Sequence, residues 1–159
     1  MLRLVYSSVQ TRTLEAAAFE ELCRKASLKN RGMQVSGMLL CNGKEYLQCL
    51  EGPTDKVSTI YAAIVEDPRH TDIRLVFHQA VDTRLFEGWH MAGLWKPEQL
   101  LQSGVRLPYS MLDPYFQRPW HVLGSAAADL LFECASIKAN LERGGQQDLL
   151  KSIVLTNTT

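Results

Sequence analysis

Residues 34–51 read QVSGMLLCNGKEYLQCLE: two strand-like runs on either side of Asn42-Gly43 and Lys44. Asn-Gly between apolar runs is the strongest short-range hairpin signal, because a tight turn needs central residues that tolerate positive φ. Side chains alternate across a strand, so the faces can be assigned by parity. Val35, Leu39, Tyr46 and Leu50 fall on one face, and Met38, Leu40, Leu47 and Cys49 on the other. A hairpin apolar on both faces needs cover on both.

The flanking sequence supplies that cover. LRLVYSS (2–8) reads as a strand. Residues 13–30 read as a helix, with Thr13 as N-cap, Leu14, Ala18, Leu22 and Ala26 every four residues, and Gly32 as the stop. Pro53 opens a second helix with Val57, Ile60, Tyr61 and Ile64 on one stripe. DIRLVFHQAV (72–81) and GWHMAGLW (88–95) read as strands four and five. The order βαββαβ plus one strand predicts an α+β, ferredoxin-like mixed sheet with strands one and three in the middle. Right-handed crossovers put both helices on one face. Residues 97–118 read as an irregular connection. The stretch 119–143 reads as an amphipathic helix ended by Gly144-Gly145, with DLLKSIVL (148–155) as a short last helix. These C-terminal helices are the expected lid for the face carrying Val5, Met38, Leu40, Leu47 and Cys49.

Gln48 is the exception within the hairpin. A buried primary amide costs about 1–3 kcal/mol for each unpaired group. A two-residue Asn42-Gly43 turn pairs Cys41 with Lys44, which sets Leu39 opposite Tyr46 and Gly37 opposite Gln48. Gln48 then faces a residue without a side chain, leaving the space a ligand pocket requires. Tyr6 lies on the neighbouring central strand and, by parity with Leu2 and Leu4, on the helix-covered face. Its phenol can bond the amide. On the residues alone the pair reads first as a satisfied polar contact in a core, and second as part of a site.

Composition narrows the classes. Lys+Arg and Asp+Glu are 17 each, so no net field favours nucleic acid or an anionic membrane. There is no leader-like start and no apolar run of membrane length. Four scattered cysteines without a CxxC pair, and four histidines without ligand spacing, argue against a metal site and suit a reducing cytoplasm.

The blocks RLVYSS, KNRGMQVSGMLL, YLQCLEGP, DPRH and RLFEGWHM resemble, in order and spacing over roughly residues 1–95, the BLUF domains, flavin-binding blue-light sensors. One departure is Ser36 before Gly37, where the family usually has threonine; Lys29 falls at a position that varies. The resemblance implies a photosensor domain at 1–96 followed by a helical extension at 97–159 without a separate output domain. It implies non-covalent FAD between the two helices, with FMN or riboflavin able to substitute. Tyr6 would be the photochemical electron donor and Gln48 its bridge to the ring. Asn30 would bond the ring's polar edge, and Leu22 and Ile64 would sandwich the ring. Arg69 and His70 would lie near the ribityl and phosphate portion, and Trp89 and Met91, on strand five, would relay the change. The function expected is a light switch rather than an enzyme, signalling through the C-terminal helices, a downstream protein partner or a homo-oligomer. The alternative is a flavin-free regulatory or interaction domain of the same fold. Parity turns Cys49 away from such a flavin, Cys41 lies at the turn end, and Cys23 is rotated about 100° from Leu22.

Overall fold

The computed structural model describes residues 1–96 and 119–143. Among the described residues five strands and three α-helices follow one another: β1 (Leu2–Gln10), α1 (Ala16–Gly32), β2 (Ser36–Cys41), β3 (Glu45–Gly52), α2 (Thr54–Val65), β4 (His70–Ala80), β5 (Ala92–Trp95), a 3-10 turn (Trp120–Val122) and α3 (Ala126–Arg143). The sheet order is β4-β1-β3-β2-β5. The first four strands pair antiparallel, and β5 joins β2 in parallel. This is the ferredoxin-like plan with one added edge strand. The connection over 97–118, the Gly144-Gly145 stop and the last helix expected over 148–155 lie outside the described residues.

The sheet divides two cores by parity. On one face Val5, Met38, Leu40, Leu47 and Cys49 pack with Ala127, Leu131 and Cys134 of α3, all fully or nearly fully buried. On the other, Leu4, Tyr6, Leu39, Tyr46 and Leu50 pack with Phe19 of α1 and with Val57 and Ile60 of α2. Lys138 fastens α3 to the edge strand by donating to the Gly93 carbonyl at 2.8 Å. The C-terminal helix is not continuous from 119, because the chain turns at Gly124 (φ +58°) between the 3-10 turn and α3.

The hairpin register differs from expectation by two residues. Cys41 pairs with Tyr46, Leu39 with Gln48 and Gly37 with Leu50. The central turn residues are Gly43 and Lys44, not Asn42 and Gly43. Only Gly43 takes positive φ (+90°), as a turn with glycine at its first central position requires. Asn42 instead precedes the turn, and its Oδ1 accepts from the Lys44 and Glu45 N–H groups at 3.0 and 2.7 Å. A two-residue slide preserves parity, so every face assignment stands while the opposed pairs change. Gly37 therefore leaves no space beside Gln48. A Cβ there would meet the Cys49 carbonyl oxygen at 2.0 Å, so glycine serves close backbone approach instead.

Two further boundaries move. Thr13 does not cap α1. Gln10 Oε1 takes the Leu14 N–H at 3.3 Å, holding 13–14 outside the helix, and the first turn closes from Phe19 N–H to Glu15 O at 2.9 Å. Gly32 ends α1 from inside, while Asn30 O accepts from Met33 and Val35 N–H. Strand β5 begins only at Ala92, so Trp89 and Met91 precede it. Trp89 closes a turn that includes Gly88 (φ +81°) by donating its N–H to Phe86 O at 3.1 Å, and Met91 lies in the bend just before β5.

Candidate flavin-binding site

Tyr6 and Gln48 are directly opposed on the two central strands, and both are buried. The Tyr6 hydroxyl donates to Gln48 Oε1 through a short hydrogen bond. The other end of the amide, Nε2, donates to Met91 Sδ at 3.3 Å. The amide that composes poorly with an apolar strand is thus held at both ends. Burial, reinforced by Tyr46 and Tyr61, pushes the Tyr6 pKa well above that of an ordinary phenol. The Tyr6 proton is therefore held at any physiological pH.

This pair forms the floor of a cavity of about 280 Å³ between α1 and α2. Leu22 from α1 and Ile64 from α2 line it, as do Asn30, Arg69 and His70. Seven residues picked out from the sequence therefore meet at one cavity. Asn30 is buried near the end of α1 and donates Nδ2 to the His90 carbonyl at 2.9 Å. His70 is pinned on both sides. Its Nε2 meets the Ile64 carbonyl at 2.6 Å and its Nδ1 meets Ser8 Oγ at 2.8 Å. A carbonyl can only accept, so Nε2 donates to Ile64, while Nδ1 shares its hydrogen bond with the serine hydroxyl. Arg69 is largely exposed and forks onto Asp67, whose pKa it lowers.

Trp89 and Met91 do not line this cavity. Met91 reaches the site through Gln48, whereas Trp89 packs against the α3-side core. Both border a larger cavity of about 620 Å³ along α1 and β5, shared with Cys23, Trp95 and Lys138. The smaller cavity is the better site despite its size, because the buried amide and phenol groups converge there. Sequence reasoning missed Tyr46, Leu39, Lys25 and Asp67 among its lining residues. Tyr46 and Leu39 share parity with Gln48, so a strand-face reading could have found them. Among the described residues no cluster of three or more His, Cys, Asp or Glu could hold a metal, and no helix is long and apolar enough to cross a membrane.

Comparison with known proteins agrees with this arrangement. Residues 1–92 match the family model for BLUF, sensors of blue-light using FAD. The photoactivated adenylate cyclase subunit beta of Euglena gracilis is 29% identical over 120 residues, covering 70% of this chain and 14% of that protein. The chain thus spans about one seventh of that relative. The Klebsiella pneumoniae BlrP1 structure with FMN and cyclic diGMP is 32% identical, with TM-score 0.55 over 59% of this chain and 26% of that one. The dark-state structure of BlrB, a BLUF protein, has TM-score 0.66 at 22% identity, covering 87% of this chain and 96% of that one, a likeness of fold. With a family model covering more than half its length, and with the amide, phenol and cavity in place, this chain belongs to the BLUF family of blue-light flavin sensors.

Proposed function

We propose that this chain is a photoreceptor that binds FAD without a covalent link between α1 and α2, with FMN or riboflavin able to substitute, and that it acts as a switch rather than an enzyme. The donor set fits the group. An isoalloxazine is a flat apolar body with polar atoms along one edge, and it wants aliphatic walls and a few convergent hydrogen-bonding groups. Leu22 and Ile64 supply walls from opposite helices, and Asn30 and Gln48 supply amides. Lys25, Lys29 and Arg69 are the cations along the lining, suited to an anionic tail.

The observation that carries the reading is the chain Tyr6–Gln48–Met91. When bound, the flavin supplies a ring that becomes a strong one-electron oxidant on absorbing blue light. Tyr6 is the oxidisable neighbour, and its proton has one outlet, Gln48 Oε1. Amide oxygen and nitrogen nearly match in shape, so Gln48 can exchange their places, or change tautomer, without repacking. As the electron and a proton return to Tyr6, the exchange leaves an oxygen where Nε2 now donates to Met91 Sδ, and the tautomer leaves that nitrogen one N–H in place of two, so either change alters the bond to Met91. Met91 passes the change to the segment 89–91, which reaches β2 through Gly37 and α1 through Asn30. From there the signal leaves by α3, a downstream protein partner or rearrangement of a homo-oligomer in the cytoplasm.

The test is spectroscopic. The purified protein should be yellow, should release all its flavin on denaturation, and should show a small red shift of the flavin band under blue light. Tyr6→Phe keeps the ring and removes the oxidisable phenol, so it should stay yellow and lose the shift. A normal shift in Tyr6→Phe would refute the assigned role, and a preparation that takes up no added FAD would end the reading altogether.

A further inference from the structure

The cavity holds a second phenol that the Tyr6–Gln48 switch does not use. Tyr46 stands two residues before Gln48 on the same face of β3, is buried, and lines the same cavity as Tyr6. The His70 ring stands edge-on to both phenols, 6.2 Å from Tyr6 and 6.4 Å from Tyr46 by centroid. Their hydrogen-bond wiring differs. Tyr6 donates to an amide oxygen inside the cavity, which gives its proton a way out. Tyr46 instead has the Gln10 side chain as its hydrogen-bonding neighbour. The Gln10 amide is otherwise committed to Cys41 Sγ at 2.8 Å and to the Leu14 N–H at 3.3 Å. Both connections lead away from Gln48.

Building on the photosensor reading, we infer that Tyr46 is a second, unproductive electron donor to the photoexcited flavin. One electron leaves the Tyr46 ring for the flavin. The phenolic proton has no relay through Gln48, so it stays, and the same electron returns. No bond is made or broken, and the light energy is lost as heat. Tyr46 therefore competes with Tyr6 and sets the fraction of absorbed photons that flip the switch.

The test compares four FAD-loaded full-length proteins by flavin fluorescence lifetime and transient absorption: wild type, Tyr46→Phe, Tyr6→Phe and the double variant. Tyr6→Phe, although unable to red-shift, should keep a lifetime severalfold shorter than the double variant, with a transient tyrosine radical cation that the double variant lacks. Tyr46→Phe alone leaves the Tyr6–Gln48 pair intact and should yield more red-shifted product per absorbed photon than wild type, a reading independent of the double variant. Equal lifetimes in Tyr6→Phe and the double variant would overturn the inference. So would a radical persisting in the double variant, which would point to another aromatic donor such as Tyr61, whose ring centroid lies 5.7 Å from that of Tyr6, or Trp95 of the same core. A colourless wild type, or one without a red shift, counts against the photosensor reading instead; equal lifetimes in a yellow, red-shifting protein count against Tyr46 alone.

Discussion

The two faces of the central sheet are built from the same strands and do opposite things. Toward α3, Val5, Met38, Leu40, Leu47 and Cys49 meet a continuous apolar helix surface. Toward α1 and α2, the alternate residues include Tyr6, Tyr46 and Gln48, and the packing opens into a cavity. One face is filled at close-packed density and supports; the other keeps buried polar groups in defined hydrogen bonds around open space. The lesson is that a strand can carry structure and chemistry at adjacent positions, with no loop between them, because adjacent side chains point apart.

The harshest way to break this division is to strip the supporting face. Ending the chain after Lys96 removes α3 and uncovers Val5, Met38, Leu40, Leu47 and Cys49 together. Each leucine-sized side chain returned to water costs roughly 1.5–3 kcal/mol. The truncated protein should aggregate on purification. A soluble monomer with an unchanged melting temperature would show that α3 is dispensable cover.

Neighbouring residues give the sharpest contrast. Leu47→Ala opens a hole in the supporting face and should cost about 2–5 kcal/mol in urea unfolding while leaving the red shift in place. Gln48→Leu, one residue on, roughly preserves volume and should abolish the red shift at a smaller cost in stability. If Leu47→Ala erased the photoresponse in folded, flavin-loaded protein, the two faces would not be separable.

The mildest test is Cys49→Ala. This thiol is fully buried against the α3 face, and burial pushes its pKa well up, so thiolate is scarce. Removing it should cost about 1 kcal/mol and leave both the photoproduct and its dark recovery intact. A light-induced bleaching of visible flavin absorbance that disappears in this variant would mean a cysteine adduct forms, and the face assignment would fail with it.

Parity, a short-range property, was legible in the sequence. Alternation alone places Val35, Leu39, Tyr46 and Leu50 on one face and Met38, Leu40, Leu47 and Cys49 on the other, as in the structure. Register was not legible, because Asn42 and Gly43 can each start a tight turn. The choice rests on Asn42 Oδ1 capturing two N–H groups across the turn. The start of β5 was misplaced for a related reason: GWHM has strand-like composition, but its backbone partners are Phe86, Gly37 and the Asn30 side chain, with the His90 ring on the Val35 carbonyl, none of which local pattern reveals. Within the site, Tyr6, Leu22, Asn30, Gln48, Ile64, Arg69 and His70 were legible through family resemblance, and their convergence on one cavity is a property of the fold. Tyr46 passed as a core aromatic, since a phenol on an apolar face does not by itself announce a cavity.

The stretch before β5 has a mechanical consequence. Arg84 grips Ser36 Oγ, the Glu51 carbonyl and the Gln34 carbonyl at 2.8, 2.9 and 2.7 Å. The Phe86 N–H is taken by the buried Glu51 carboxylate at 2.6 Å, and Arg3 holds that carboxylate from the other side at 3.0 Å. The Trp89 carbonyl is fastened to the Gly37 N–H, and the Lys96 N–H beyond β5 to the Cys41 carbonyl. Segment 84–96 is therefore a beam clamped along its length, and Met91 within it is the point joined to Gln48. A beam with slack would absorb a small push as local bending. A clamped one delivers it to its supports, and here the support on the far side is α3, bolted to the middle of β5 by Lys138.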